Sequence, residues 1–400
     1  MKILIINSVC GVGSTGRLCV ELAQKFENEG HEVKIAYGRE DFVPEGFQKY
    51  AIRIGNDLDV KLHGMRTRFL DQHGLGSLKA TKKFIKWADS FSPDLLWLHN
   101  IHGYYINVEL LFDWIKKRKN MEVKWTLHDC WAFTGHCAHF TAISCEKWKE
   151  QCFECLQKNM YPASILIDNS KKNYIRKKNA FTGVKNLTII TPSQWLADLV
   201  KLSFLNEYPV DVKYNKIDTT IYKPIQSDFR KKYSLGNKKI ILGVASTWTE
   251  RKGLYDFIKL SKMLNKDYVI VLVGISETEL KNAMNKKLKN LGVNRKQSEK
   301  IIEVDSGIAI PCDVGVLYNA ITGSQYQNVE VEGAKIIGIP RTNDVKELAE
   351  IYTASDVFVN PTYEDTYPTV NLEARACGTK VITYNIGGCL ETLQNKIEAE

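Results

Sequence analysis

Residues 360–388 read NPTYEDTYPTVNLEARACGTKVITYNIGG, and this run decides the fold. It places Asp365 and Glu373 eight positions apart, on either side of a loop-to-helix junction. Tyr367-Pro368-Thr369 reads as a helix entry, because proline is tolerated in a first turn and threonine can cap one. Val370, Leu372, Ala374 and Ala376 leave room for a short helix, which Gly378 ends. Val381-Ile382-Thr383-Tyr384 is then a short buried strand before a Gly387-Gly388 turn. A helix N-terminus flanked by acids suits a phosphate and several hydroxyls bound together.

Working outward, the chain repeats one arrangement. Lys2 to Asn7 reads as a strand, Gly11-Val12-Gly13-Ser14-Thr15-Gly16-Arg17 leads into a helix through Glu29, and Glu32 to Tyr37 is a second strand. This strand–glycine loop–helix–strand unit opens a doubly wound parallel sheet. Leu95 to His99, Val123 to His128 and Leu187 to Pro192 are later strands, and ligands of such sheets bind at the carboxyl ends. Residues 215–239 turn polar, which marks a crossing between domains. A second sheet starts at Lys239 to Val244 and continues at Tyr268 to Gly274 and Val357 to Val359. Four hundred residues is long for one core, so two domains are expected. The expected division is 1–215 as a first domain with a Cys-rich insertion at 130–160, 216–238 as the crossing, and 239–400 as a second domain. Residues of about 280–335, rich in β-branched stretches, read as an insertion in the latter.

The 360–388 run resembles the nucleotide-sugar half of the family 4 retaining glycosyltransferases of the GT-B fold, of the bacterial surface-polysaccharide type. That family shows Glu, seven residues, Glu, then Ala-x-Ala-x-Gly-x-x-Val. Glu373 matches the second acid, and counting back puts Asp365, one methylene shorter, at the first, with Glu364 its neighbour. The resemblance implies two Rossmann-like α/β domains facing a cleft, 1–215 the acceptor-side domain and 239–400 the nucleotide-sugar-binding domain. It also implies further elements after Gly388, so a C-terminal lobe cut short at Glu400 is expected.

The same resemblance assigns roles. Thr249-Glu250-Arg251-Lys252-Gly253 looks like the family's basic-Lys-Gly element, so Lys252 and Arg251 would stabilise charge growing on the leaving nucleotide diphosphate. Glu373 would hold ribose hydroxyls. Asp365 or Glu364, with the backbone from Thr366 through Tyr367, Pro368 and Thr369, would hold the sugar. Gly13, Gly16 and Arg17 fit the donor diphosphate or acceptor, since bare backbone approaches closely and Arg pairs with phosphate. His128 matches a histidine near the donor sugar, and His99, Asn100 and His102 end the neighbouring strand on the acceptor side. Asn215-Lys216-Ile217-Asp218 resembles an Asn-Gly-Ile-Asp turn, which makes Asn215 a donor-side candidate; Lys216 there resists a positive φ. Thr247 stands where the family commonly has Arg.

Five of the ten cysteines fall between 130 and 155. Cys137, Cys145, Cys152 and Cys155 are expected as a closed four-thiolate structural site for zinc or an iron–sulfur centre, with reduced thiols or disulfides as alternatives. No cofactor is required for catalysis in this reading.

The composition, 44% hydrophobic and 25% charged, is that of a globular domain. MKILIINSVCG lacks the long apolar region of a signal peptide, so a cytoplasmic protein is expected. The net charge of +9 gathers in runs at Lys79 to Lys86, Lys116 to Lys119 and Lys171 to Lys178. Singly these are solvated helix faces; together they suit peripheral contact with anionic lipid at the inner membrane face. Nucleic acid is not an expected partner, because no RNA-stacking motif, finger helix or basic zipper is present. The expected reaction transfers a sugar from a UDP- or GDP-sugar to a lipid-linked glycan. A sugar-nucleotide epimerase and a truncated nucleotide-binding module are the alternatives.

Overall fold

The computed structural model describes residues 1–40, 42–285, 300–327, 332–342 and 344–397. The chain divides into two compact units, Met1–Phe140 with Cys145–Lys213, and Thr141–Ser144 with Tyr214–Glu400.

In the first unit the strands are β1 (Lys2–Ile6), β2 (Glu32–Tyr37), β3 (Ala51–Arg53), β4 (Leu95–Leu98), β5 (Glu122–Thr126), β6 (Leu187–Thr191) and β7 (Val210–Val212). They form one sheet in the order β3-β2-β1-β4-β5-β6-β7, and every pairing is parallel. Order reverses between β1 and β4, which opens a crevice at the carboxyl ends of those strands. The continuous apolar run of β1 follows from burial on both faces: Leu4 and Ile6 enter one core, Ile3 and Ile5 the other.

The second unit holds β8 (Lys239–Val244), β9 (Tyr268–Val273), β10 (Ile302–Val304), β11 (Gly307–Ile310), β12 (Lys335–Ile339), β13 (Val357–Asn360) and β14 (Lys380–Tyr384). Their order is β10-β11-β14-β13-β8-β9-β12, and only the edge pair β10–β11 is antiparallel among the described residues. Again two cores flank the sheet, Ile241 and Leu272 on one side, Ile240 and Leu242 on the other.

Part of the expected insertion at 280–335, residues 286–299 and 328–331, lies outside the described residues. The remainder is not a separate subdomain. Ile302–Ile310 turns back as a hairpin whose buried strand β11 pairs with β14, so its β-branched residues complete the sheet edge. Lys216 does not appear among the described residues with positive φ, so the turn after Asn215 takes another form than a glycine turn.

Candidate functional site

The second unit brings the acid loop of the motif together with Lys252 and Arg251. Lys252 follows β8 on a short turn, Glu250–Lys252, and its Nζ lies 2.6 Å from Oδ2 of Asp365. Oδ1 of Asp365 accepts from the Tyr367 backbone N–H at 3.3 Å, an aspartate turn that leads into the helix. Arg251 Nη1 donates to the Glu364 carbonyl at 2.7 Å, and the Arg251 carbonyl accepts from Tyr363 N at 2.8 Å. The turn and the loop are thereby laced together at both ends. Glycine is demanded at two contacts. A Cβ on Gly253, at φ +74°, would sit 2.3 Å from the Pro361 carbonyl oxygen, and one on Gly387 would sit 1.9 Å from that of Asp365.

Glu364 and Asp365 separate in role. Glu364 is buried, and its Oε1 accepts from the Ala142 N–H at 3.1 Å within this unit. Asp365 is the acid paired with Lys252. The following helix spans Thr369–Ala376 with Pro368 as N-cap, so Thr369 is its first residue rather than the expected side-chain cap. Thr366 and Tyr367 are buried, and the Tyr367 ring packs 5.3 Å from Tyr214, the neighbour of Asn215. Glu373 lies one turn into the helix, and its Oε2 accepts from the Tyr352 hydroxyl at 3.0 Å.

Two residues behind this site escape sequence reasoning. Asp256 is buried, and its Oδ2 accepts from Tyr363 at 2.7 Å and Tyr384 at 3.0 Å. Its partners are 107 and 128 residues distant, so spacing carries no trace of them. Tyr352 is equally buried, on the helix Val345–Ala354. A cavity of about 640 Å³ opens at the ends of β8, β9 and β12, lined by Thr247, Trp248, Gly274, Ser276 and Arg341 among others.

In the first unit a second polar group forms at the ends of β1, β4 and β5. His99 Nδ1 lies 3.1 Å from His128 Nε2, so one ring donates to the other. Burial holds both below the ordinary histidine range, His128 at about 4 and His99 well down; the His128 ring further opposes charge on His99, while Asp129 favours and His102 opposes charge on His128. Nε2 of His99 is buried with no hydrogen-bond partner among the described residues. Asn100 reaches the glycine loop: its N–H donates to Asn7 Oδ1 at 3.3 Å and its amide to Thr15 at 3.5 Å. His102 pairs with Asp129 at 3.1 Å. Burial pushes the Asp129 carboxyl up, but His102 and the Trp131 N–H outweigh it and hold the group ionised. The helix Gly13–Asn28 begins inside the glycine loop, with Gly13 and Arg17 exposed and Gly16 buried against Val9.

The cysteines do not form the expected four-thiolate site. Among the described residues no group of three or more His, Cys, Asp or Glu is arranged to hold a metal ion. Cys137 instead hydrogen-bonds Cys155, which raises the Cys137 thiol and lowers that of Cys155 to about 7. Cys152 Sγ accepts from Gly135 N at 3.1 Å. Cys145 packs at the edge of the same core. The buried Lys177 amine lies beside these sulfurs, bonded to the Trp131 and Thr134 carbonyls and 3.6 Å from the centre of the Trp131 ring, and burial lowers it to about 7.

Residues 330–399 match the family model described as glycosyl transferases group 1. WcaC of Escherichia coli (strain K12), named as a colanic acid biosynthesis glycosyl transferase, is 37% identical over 112 residues, 26% of this chain and 27% of that protein. The match to this curated relative thus spans about a quarter of its length. Sucrose-phosphate synthase from Thermosynechococcus elongatus superposes with a TM-score of 0.59 at 14% identity, over 97% of this chain and 82% of that one. HepE of Anabaena, solved in complex with UDP, gives a TM-score of 0.56 at 14% identity over 98% and 82%. At such identities the structural likeness speaks to fold alone. Two α/β units on parallel sheets, matched by GT-B structures over nearly the whole chain, give this protein the GT-B fold, and it is within the second unit that residues 330–399 match the glycosyl transferases group 1 model.

Proposed function

We propose that the chain is a retaining glycosyltransferase that moves a sugar from a UDP- or GDP-sugar to a lipid-linked glycan in surface polysaccharide synthesis, working at the cytoplasmic face of the membrane. One observation carries this reading: Lys252, Arg251, Asp365 and the start of the Thr369–Ala376 helix meet at a single junction, with Glu373 one turn further on. Lys252 and Arg251 meet the negative charge that grows on the departing diphosphate, in a partly buried place where such charge is worth more than in water. Asp365 and the backbone after it take the sugar hydroxyls. Glu373 takes the ribose, oriented by Tyr352. Arg341 shares the cavity of Thr247 and supplies the cation that the family places at that position. Because side-chain cations meet the charge, this reading calls for no cofactor. On the first unit, His128 serves the sugar as a hydrogen-bonding group, and His99, Asn100 and His102 serve the acceptor.

The name of WcaC and the UDP held by HepE support a polysaccharide product and a nucleotide-sugar donor. The test is a transfer screen of UDP- and GDP-sugars, with and without lipid-diphosphate sugar acceptors, alongside Glu373→Ala. Nucleotide release that requires the acceptor and vanishes in the variant supports the reading. Altered sugar without release would replace it with an epimerase, and failure to bind any donor would end it.

A further inference from the structure

The helix Asp57–Leu70 in the first unit turns His63 and Thr67 inward, where both are buried. Its opposite face carries Leu58, Leu62, Met65 and Phe69, between 46% and 63% exposed. At about 100° per residue these four fall within roughly 60° of arc, so they form one straight apolar stripe. The stripe does not end with the helix. Ile165 N donates to the Arg68 carbonyl at 2.8 Å, and Asn169 holds the Leu70 carbonyl, so Ile165 and Leu166, both more than half exposed, continue the apolar surface.

Charge says what covers it. Lys61, Arg66 and Arg68 are exposed on the flanks of the stripe. Both acids of the helix lie in its first turn and are engaged, Asp57 with Arg53 and Asp59 with the Asn56 backbone. Lys79, Lys82, Lys83 and Lys86 remain exposed on the next helix, Leu78–Phe91. A second copy of this face would bring like charges together. An anionic bilayer accepts both features at once: the apolar side chains enter the acyl boundary while the long cationic side chains reach the headgroups.

We infer that the Leu58–Phe69 stripe is a docking surface for anionic lipid bilayers, on which this unit lies without spanning. No helix among the described residues is long and apolar enough to cross a membrane. The assignment shares with the transfer reading its expectation of a lipid-borne acceptor, but needs no step of the chemistry.

The test is co-sedimentation of the full chain with vesicles of phosphatidylglycerol mixed into phosphatidylcholine, against phosphatidylcholine alone. Leu62→Ser/Phe69→Ser and Lys61→Ser/Arg68→Ser are compared, with circular dichroism confirming the fold. The wild type is expected to bind the anionic vesicles and to release with salt. Each double variant is expected to weaken binding by about tenfold or more, with UDP binding unchanged. Binding that survives loss of the stripe would assign docking to the lysine runs alone and overturn the inference. So would a chain that ignores vesicles but forms dimers that the Leu62→Ser/Phe69→Ser change dissolves. Vesicle binding by a chain that binds no nucleotide would keep this inference and remove the transfer reading.

Discussion

Lys252 and Asp365, 113 residues apart in the chain, form one ion pair in the second unit, Nζ to Oδ2 at 2.6 Å. The residue suited to a diphosphate and the residue suited to sugar hydroxyls therefore position each other. A carboxylate held at both oxygens, by Lys252 and by the Tyr367 N–H, cannot rotate freely. That is preorganisation, and under the proposed function it would put the chemistry at a rigid junction rather than in a flexible loop.

Removing the cation should therefore cost chemistry more than stability. Lys252→Ala is expected to lower turnover of the preferred donor about a hundredfold or more. Because both side chains keep some solvent contact, their coupling in folding should stay near 1 kcal/mol or below. Steady-state kinetics and a urea double-mutant cycle with Asp365→Asn measure the two quantities. Turnover within a few-fold of wild type would remove Lys252 from the site.

Tyr352→Phe deletes a single hydroxyl, the one donating to Glu373. Donor or UDP affinity should fall by about three- to tenfold, the worth of one hydrogen bond to a charged group. The ring stays, so the core should hold. Calorimetric titration with UDP decides it, and unchanged affinity would mean that Glu373 does not depend on this anchor.

Asp256 is a stability residue placed behind the loop that carries Glu364 and Asp365. Asp256→Ala leaves the Tyr363 and Tyr384 hydroxyls without their acceptor and should cost about 2–4 kcal/mol. Asp256→Asn keeps an oxygen for both hydroxyls and should cost clearly less. Urea unfolding of the two variants tests the ordering; equal losses would show that the charge, not the hydrogen bonds, matters.

Acid should destabilise the first unit in a defined window. Burial lowers His63 and His128 from 6.5 to about 4, so the unfolded chain binds protons that the folded chain refuses. Stability from these groups is present above about pH 6.5 and is lost as pH falls toward 4. Thermal melting across that range should show a falling midpoint, with a shallower fall in His128→Asn. A flat profile would mean that both rings take up protons as readily in the folded protein as in the unfolded chain.

Much of this was legible in the residues. Lys2–Ile6, Lys239–Val244 and Val357–Asn360 are strands because unbroken apolar runs survive only where a parallel sheet is covered on both faces. The donor motif was legible for a related reason: its acids, its proline helix entry and its glycines are neighbours in the chain. Ile302–Ile310 reads from sequence only as part of an insertion because strand pairing is a choice among distant partners, and its periodicity does not name β14. The cysteine spacing suggested ligands, whereas burial beside Lys177 and pairing of Cys137 with Cys155 left no coordinating set among the described residues.

The amino-acid order alone determined the two largely parallel sheets and the helix after Pro368, since hydrophobic period and turn chemistry are local properties, and its resemblance to a family motif named Lys252, Asp365 and Glu373 as candidates. Tertiary structure alone decided that Asp365 rather than Glu364 meets Lys252, that Tyr352 and Asp256 brace the site, and that Leu58 to Phe69 face outward. Each of those depends on which distant surfaces bury one another, and burial is settled only when the whole chain has packed.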